Sequence, residues 1–294
     1  MSTHAEVVAT GLMFPEGPVW CDDGTVVCTA VAEGALHRVW PAQARTKRIA
    51  LTGGGPNAAA PADDGSFLVT QNGGIDFRSL PMFAEPPPYR PIEPGLQRVA
   101  PDGTVSYVAV DGFRAPNDLV VSIDGTVWFT DPPRYPPPPV PVGRVLARRP
   151  DGAIEVLASG FTYCNGIALC PDATMVVIEE QGLMRVHPDG SKQWITREFR
   201  NGGGDGLCTD TVGNFYVAAT TAHGVRVIDP EGREVDFLTI APPPEGTGVT
   251  TNCCFGGSDG KTLFATDGIP GHLVAWEHMP VAGRAVHPWP TSSG

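Results

Sequence analysis

Short apolar runs recur along this chain, each broken by an acidic residue beside glycine and followed by a β-branched or aromatic run. LVVSIDGTVWFTD (119–131), IALCPDATMVVIEE (167–180), LCTDTVGNFYVAA (207–219) and CFGGSDGKTLFATD (254–267) share this form. VWCDDGTVVCTA (19–30) and APADDGSFLVTQ (60–71) bring the set to six. Asp-Gly between two such runs predicts a hairpin, because glycine accepts the positive φ of a tight turn. The turn positions Gly24, Gly65, Gly125, Ala173, Gly213 and Gly260 lie 40 to 60 residues apart, about one four-stranded propeller blade each. A second set of turns, at Asp102-Gly103, Asp151-Gly152, Asp189-Gly190 and Glu231-Gly232, is expected to join the outer two strands of blades two to five. The sixth unit runs short, with strands near 252–256, 262–266 and 272–277 and no clear fourth. The N-terminal HAEVVAT can supply it, closing the ring and removing exposed strand edges. The pattern predicts an all-β, six-bladed β-propeller built as one domain over residues 1–294.

Counting back eight residues from each inner turn reaches Glu16, Asn57, Asn117, Asn165, Asp205 and Asn252. Every one is Asn, Asp or Glu. In a propeller the first strand of a blade lines the axis, so a residue at its start sits at the channel mouth. Six such residues predict a ring of oxygen donors. Hard oxygen ligands suit Ca²⁺ first, or Mg²⁺, with Mn²⁺ and Zn²⁺ also able to bind. A purely local reading, in which Asn and Asp recur as turn formers, does not account for Glu16.

Composition agrees with many short strands: Gly 36 and Pro 31 are too frequent for long helices. A net charge of −12 opposes a phosphate backbone, so nucleic acid is not an expected partner. No apolar run is long enough to cross a membrane as a helix. The Cys count of 7 is odd, without a CxxC pair, and fits reduced core thiols in a cytoplasmic protein. The start MSTHAEVVATG lacks the basic-then-apolar pattern of a signal peptide. Nothing in the pattern specifies an oligomeric state.

Long proline-rich connections fall on the ring's face: 71–95, 131–143 and 241–251. Such loops are preorganised and commonly carry function. They offer Asn72, Tyr89, Arg90, Arg134 and Tyr135 as candidate substrate contacts, alongside Asn57 and Asn252 of the ring.

FPEGPVW (14–20), PNDLVVSIDGTVWFTDP (116–132), GFTYCNGIALCPD (160–172), GGGDGLCTDTVGNFYVA (202–218) and TNCCFGGSDGKTLFATD (251–267) together resemble one family. It is the senescence-marker-protein, gluconolactonase and luciferin-regenerating-enzyme group. The resemblance implies a six-bladed propeller with one divalent metal, typically hydrolysing lactones. The Glu of P-E-G-P, the Asn of N-G-I-A and the Asp of D-G-L are that family's metal ligands. They fall on Glu16, Asn165 and Asp205. The Asn of P-N-D, here Asn117, binds metal or substrate. Many sugar lactonases carry Arg two residues before that Asn; here Ala115 stands there, with Arg114 out of phase, so gluconolactone itself is not implied.

The expected activity is therefore metal-dependent opening of a small lactone, with Asp205 as the base that accepts a proton from water. Two alternatives share the site. One is a non-catalytic, ligand-binding propeller stapled by its metal, and the other is a different metal-assisted reaction, an isomerisation or another ester cleavage.

Overall fold

In the computed structural model, which describes residues 5–80, 82–242 and 248–291, the strands form six four-stranded antiparallel sheets. Blade one comprises Pro15–Trp20, Val26–Ala30, Ala35–Trp40 and Arg45–Leu51. Blade two comprises Pro56–Pro61, Phe67–Gln71, Gly95–Val99 and Val105–Ala109. Blade three follows with Leu119–Val121, Val127–Asp131, Gly143–Arg148 and Ile154–Phe161. Cys164–Leu169, Met175–Glu179, Gly182–Val186 and Lys192–Thr196 make blade four. Blade five holds Leu207–Thr209, Phe215–Ala219, Gly224–Ile228 and Glu234–Thr239. The last blade takes Val249–Gly256, Thr262–Ile269 and His272–Trp276 from the C-terminal part and Glu6–Ala9 from the N-terminal part. Glu6 pairs Ala275 and Val7 pairs Val274, the expected closure. The innermost strands touch in cyclic order, blade six against blade one included.

Both faces of each middle strand are buried, which is why these segments read as unbroken apolar runs. VVCTA, FLVTQ, MVVIE and FYVAA are buried at every position. Successive side chains point to opposite faces, so Cys253 packs with Tyr216 between blades five and six, while Cys254 packs with Cys28 between blades six and one. One such apolar cluster fills each of the six gaps between blades. All seven cysteines are free. No helix among the described residues is long and apolar enough to cross a membrane.

The inner turns carry the expected chemistry. Asp23, Asp64, Asp124, Asp172 and Asp259 each accept the backbone N–H two residues ahead, at 2.9–3.2 Å. The glycines that follow hold φ of 68–80°, and Ala173 stands at 61° in the fourth blade. The outer turn of blade one lacks Asp-Gly and is made by a short 3₁₀ turn, Pro41–Gln43, closed by left-handed Ala44. In the last blade the inner strand begins at Val249, three residues ahead of the expected start; part of the 241–251 loop, residues 243–247, lies outside the described residues.

After the last strand the chain crosses the turn face. Gly283 N bonds Gly260 O, Arg284 N bonds Thr209 O, and Trp289 N bonds Pro61 O, at 2.7–2.9 Å. Trp289 is buried in the core shared by blades two and three. Residues 284–287 thereby line the far end of the axial channel, a cavity of about 110 Å³ whose other lining residues include Asp118 and Asn252.

Left-handed backbone costs an L-residue about 1–2 kcal/mol, partly offset in glycine by about 0.5–1 kcal/mol of extra chain entropy. Ala173→Gly is therefore expected to stabilise the fold by about 0.5–1 kcal/mol, read as a melting temperature higher by roughly 2 °C. An unchanged or lower value would show that this turn is not strained.

Candidate active site at the channel mouth

The six ring positions lie at one level because hydrogen bonds join every blade to the next there. Thr29 Oγ1 donates to Asn57 O at 2.8 Å, Thr70 Oγ1 to Asn117 O, and Thr130 Oγ1 to Asn165 O at 2.6 Å. Backbone groups continue the circle, Gly166 N to Asp205 O at 3.0 Å and Gly206 N to Thr251 O at 2.8 Å. Thr251 Oγ1 closes it on Pro15 O at 2.6 Å. Three ring residues are followed by glycine, and the reason is contact. A Cβ on Gly17 would lie 2.5 Å from Asn57 O, one on Gly166 2.5 Å from Asp205 O, and one on Gly206 1.9 Å from the Asn252 side chain. Register shifts after Glu16, Pro56 and Cys164 mark bulges that bend the strands there.

The ring contains a carboxylate that the spacing passed over. Asp118, directly after Asn117, is buried, and its Oδ1 and Oδ2 accept from Asn252 Nδ2 at 2.9 and 3.0 Å. The same Nδ2 lies 3.0 Å from Glu16 Oε2, while Asn252 Oδ1 accepts Cys253 N at 2.8 Å. Asn252 thus presents N–H, not oxygen, to its carboxylate neighbours, and the ring is not a set of six equal oxygen donors. The available signal for Asp118 was an acid heading an otherwise apolar strand, NDLVV. Eight-residue counting selects one position per blade and skips its neighbour.

Glu16, Asp118 and Asp205 lie within electrostatic reach of one another. Burial, then the charges of Asp205 and Asp118, pushes Glu16 well above the usual carboxylate range. Asp205 is pushed up by loss of hydration and then by Asp118, with the Asn165 amide acting the other way. Burial raises Asp118 to about 7 against the pull of Asn252. No Lys, Arg or His hydrogen-bonds to any of the three among the described residues. Beside them, Asn57 Oδ1 and Asn117 Oδ1 are buried without a partner among the described residues. No three His, Cys, Asp or Glu side chains among the described residues converge tightly enough to hold an ion unaided. Carboxylates and orphaned amide oxygens together fit a hard divalent cation, which would satisfy both the charge and the free acceptors.

Asn165 and Asp205 are half-buried, whereas Glu16, Asn57, Asn117 and Asn252 are buried. The Tyr163 ring stands against Tyr135, centroids 6.1 Å apart and nearly perpendicular. Burial, then Asp205 and Glu16, raises the Tyr163 hydroxyl. Tyr135 itself is 61% exposed, at the rim. Asn72 is buried beside Gly55, its Oδ1 accepting Gly74 N at 2.8 Å. Exposed Arg134 reaches across to Gly73. Tyr89 and Arg90 are not brought to the mouth. They line a separate cavity of about 320 Å³ with Met13, Glu33, Leu51 and Phe77. The loop carrying them is anchored there because Phe77 and Phe83 pack on Phe14, at centroid distances of 5.1 and 6.5 Å.

The fold and this mouth define a class, a six-bladed propeller whose axis opens on a cluster of buried oxygen donors. The chain belongs to the SMP-30/Gluconolactonase/LRE-like family, whose model matches residues 14–268. It is 25% identical over 308 residues to a gluconolactonase of Zymomonas mobilis subsp. mobilis, covering 90% of this chain and 79% of that protein. Among solved structures it is similar in fold to a calcium-binding protein, regucalcin, from Agrobacterium tumefaciens. That match has a TM-score of 0.78 and 19% identity, over 98% of this chain and 99% of that one. A gluconolactonase from Xanthomonas campestris matches with a TM-score of 0.71 and 22% identity, over 92% and 89%.

A carboxylate whose folded pKa is raised stabilises the protein fully only below its unfolded value, near 4, and that stability is lost as pH rises through the folded value. In chelator, raising pH from about 5 to 8, through the Asp118 value of about 7, should therefore destabilise the wild-type chain more than an Asp118→Asn variant. Saturating divalent cation should remove the difference. Parallel melting curves for the two proteins in chelator would refute the reading.

Proposed function

We propose that this chain opens a small lactone by hydrolysis, with a divalent cation held by Glu16, Asn165 and Asp205 and with Asn117 completing its shell or orienting the substrate. Ca²⁺ is the first candidate for a set built only of carboxylate and amide oxygens, ahead of Mg²⁺, Mn²⁺ and Zn²⁺. The observation that carries the reading is the gathering of Glu16, Asp118 and Asp205 around one axis with no Lys, Arg or His among their bonded partners in the described residues. The 25% identical gluconolactonase and the family membership support the reaction class.

When bound, the cation supplies Lewis-acid polarisation of the lactone carbonyl and stabilises charge that develops on its oxygen. The remaining work belongs to side chains. Asp205 accepts the proton of the attacking water; beside a cation its carboxylate is ionised at neutral pH. Asn252 keeps Glu16 and Asp118 apart and oriented through one shared amide nitrogen. Asn57 and Asn117 offer their free Oδ1 atoms to cation or substrate. Tyr135 and Tyr163 wall the mouth on the blade-four side, and Asn72 and Arg134 lie on the blade-two side. The whole chain acts as one propeller unit, in the cytoplasm, where seven unpaired thiols persist.

A panel of γ- and δ-lactones assayed with each of the four cations tests this. Turnover should be abolished by chelator, and Asp205→Ala should lower kcat/KM by about 10²–10⁴-fold while the metal-free protein keeps its fold. An unaffected rate in that variant would sink the assignment of the base. Cation-dependent rise in melting temperature without turnover of any lactone would instead indicate a binding propeller.

A further inference from the structure

A second in-phase set lies one layer outside the ring. On the second strands stand Ala30, Gln71, Asp131, Glu179 and Ala219, each six residues after its inner turn, and Asp267, seven after Gly260. Ala30, Gln71 and Glu179 pair the residue just before their blade's ring position, and Asp267 pairs Thr250. The four polar members are all buried. Three of them turn back to the loop that leads into their own blade's ring residue. Gln71 Oε1 accepts Gly55 N at 2.6 Å, two residues before Asn57. Asp131 Oδ1 accepts both Arg114 N and Ala115 N at 2.9 Å, just ahead of Asn117 and Asp118. Glu179 accepts Thr162 N at 2.6 Å and Tyr163 N at 3.3 Å, just ahead of Asn165. Asp267 instead contacts His223 Nε2 at 3.1 Å.

We infer that Asp131 and Glu179 are positioning residues, which set Asn117-Asp118 and Asn165 at the distance from the axis that cation binding requires. The inference rests on the cation reading above. Loops at a channel mouth are poorly held by apolar packing, since one side faces solvent. Two N–H groups converging on one carboxylate supply charge-assisted, directional bonds in its place. Asp131 is itself held from the other side by Arg144, whose Nε lies 3.0 Å from Oδ2 and whose Nη2 also bonds Gly112 O at 2.8 Å. One ion pair therefore fixes both ends of the 112–115 segment. Groups that orient metal ligands from outside commonly alter cation affinity about 10–100-fold when removed.

Asp210 provides the control that separates positioning from plain stability. It is equally buried and accepts two backbone N–H groups, Val212 at 3.0 Å and Asn214 at 2.9 Å, but at the turn face. Mn²⁺ affinity is measured by calorimetry on wild type, Asp131→Ala, Asp131→Asn, Glu179→Ala and Asp210→Ala, with hydrogen exchange followed over 112–118. Asp131→Ala and Glu179→Ala should each weaken Mn²⁺ about 10–100-fold, with faster exchange over 112–118 in the former. Asp131→Asn, which keeps an oxygen acceptor, should recover most of the loss. Asp210→Ala should lower the melting temperature and leave Mn²⁺ affinity unchanged. Wild-type affinity in both alanine variants of the clamps, an equal loss in Asp210→Ala, or no recovery in Asp131→Asn would overturn the inference. Should Asp131→Ala fail to fold, Glu179→Ala and Asp131→Asn decide by the same criteria. A wild-type protein that binds none of the four cations would overturn the cation reading itself, and this inference with it.

Discussion

Six hydrogen bonds at the level of the ring hold the blades in one mutual register. Apolar clusters between the blades supply most of the cohesion, but burial is non-directional and does not set the height of one blade against the next. A hydrogen bond of about 1 kcal/mol is small beside that cohesion, yet its direction and length are strict. The acceptors are the backbone carbonyls of Asn57, Asn117, Asn165 and Asp205 themselves, and of Thr251 and Pro15 immediately beside Asn252 and Glu16. The bonds that close the propeller thus also place the ring side chains. Glycine after Glu16, Asn165 and Asp205 is part of the same device, since a side chain there would collide with the next blade.

This closure brings three carboxylates together in a place with little water. Isolated, such a cluster is unfavourable: loss of hydration and then neighbouring charge push Glu16 and Asp205 up, and burial pushes Asp118 up. The rest of the propeller holds them in spite of it. Asn252 spreads one amide over two of them, and carboxylates on the second strands restrain the loops leading into Asn117-Asp118 and Asn165. A cation, under the proposed reading, would relieve an imbalance already present in the fold. The far end of the channel is lined by the C-terminal segment, so the loop face is the side on which loops of blades two, three and four can shape what enters.

Much of the architecture was legible because propeller hairpins are local. An aspartate that binds the N–H two residues ahead, followed by a residue with positive φ, acts within four residues whatever surrounds it. Repetition of that unit fixed blade number and phase, and phase alone pointed to Glu16, Asn57, Asn117, Asn165, Asp205 and Asn252. Where the local signal was absent, in the 3₁₀ turn of blade one, the strands could not be placed from the pattern. Tyr89 and Arg90 were associated with the mouth only by sharing its face. Their loop is drawn aside by aromatic packing of Phe77 and Phe83 on Phe14, a contact between residues distant in sequence.

By itself, then, the amino-acid sequence determined the number of blades, their closure by the N-terminal strand and the circle of positions at the axis. Each of those follows from turn chemistry and period, which are local and repeat. Tertiary structure decided what each position touches. Only the packed ring shows that Asp118 joins Glu16 and Asp205, that Asn252 presents its N–H, and that Asn57 and Asn117 keep a free oxygen. Charge, hydration and hydrogen-bond direction depend on neighbours one blade or half the chain away, and spacing along the chain carries no record of them.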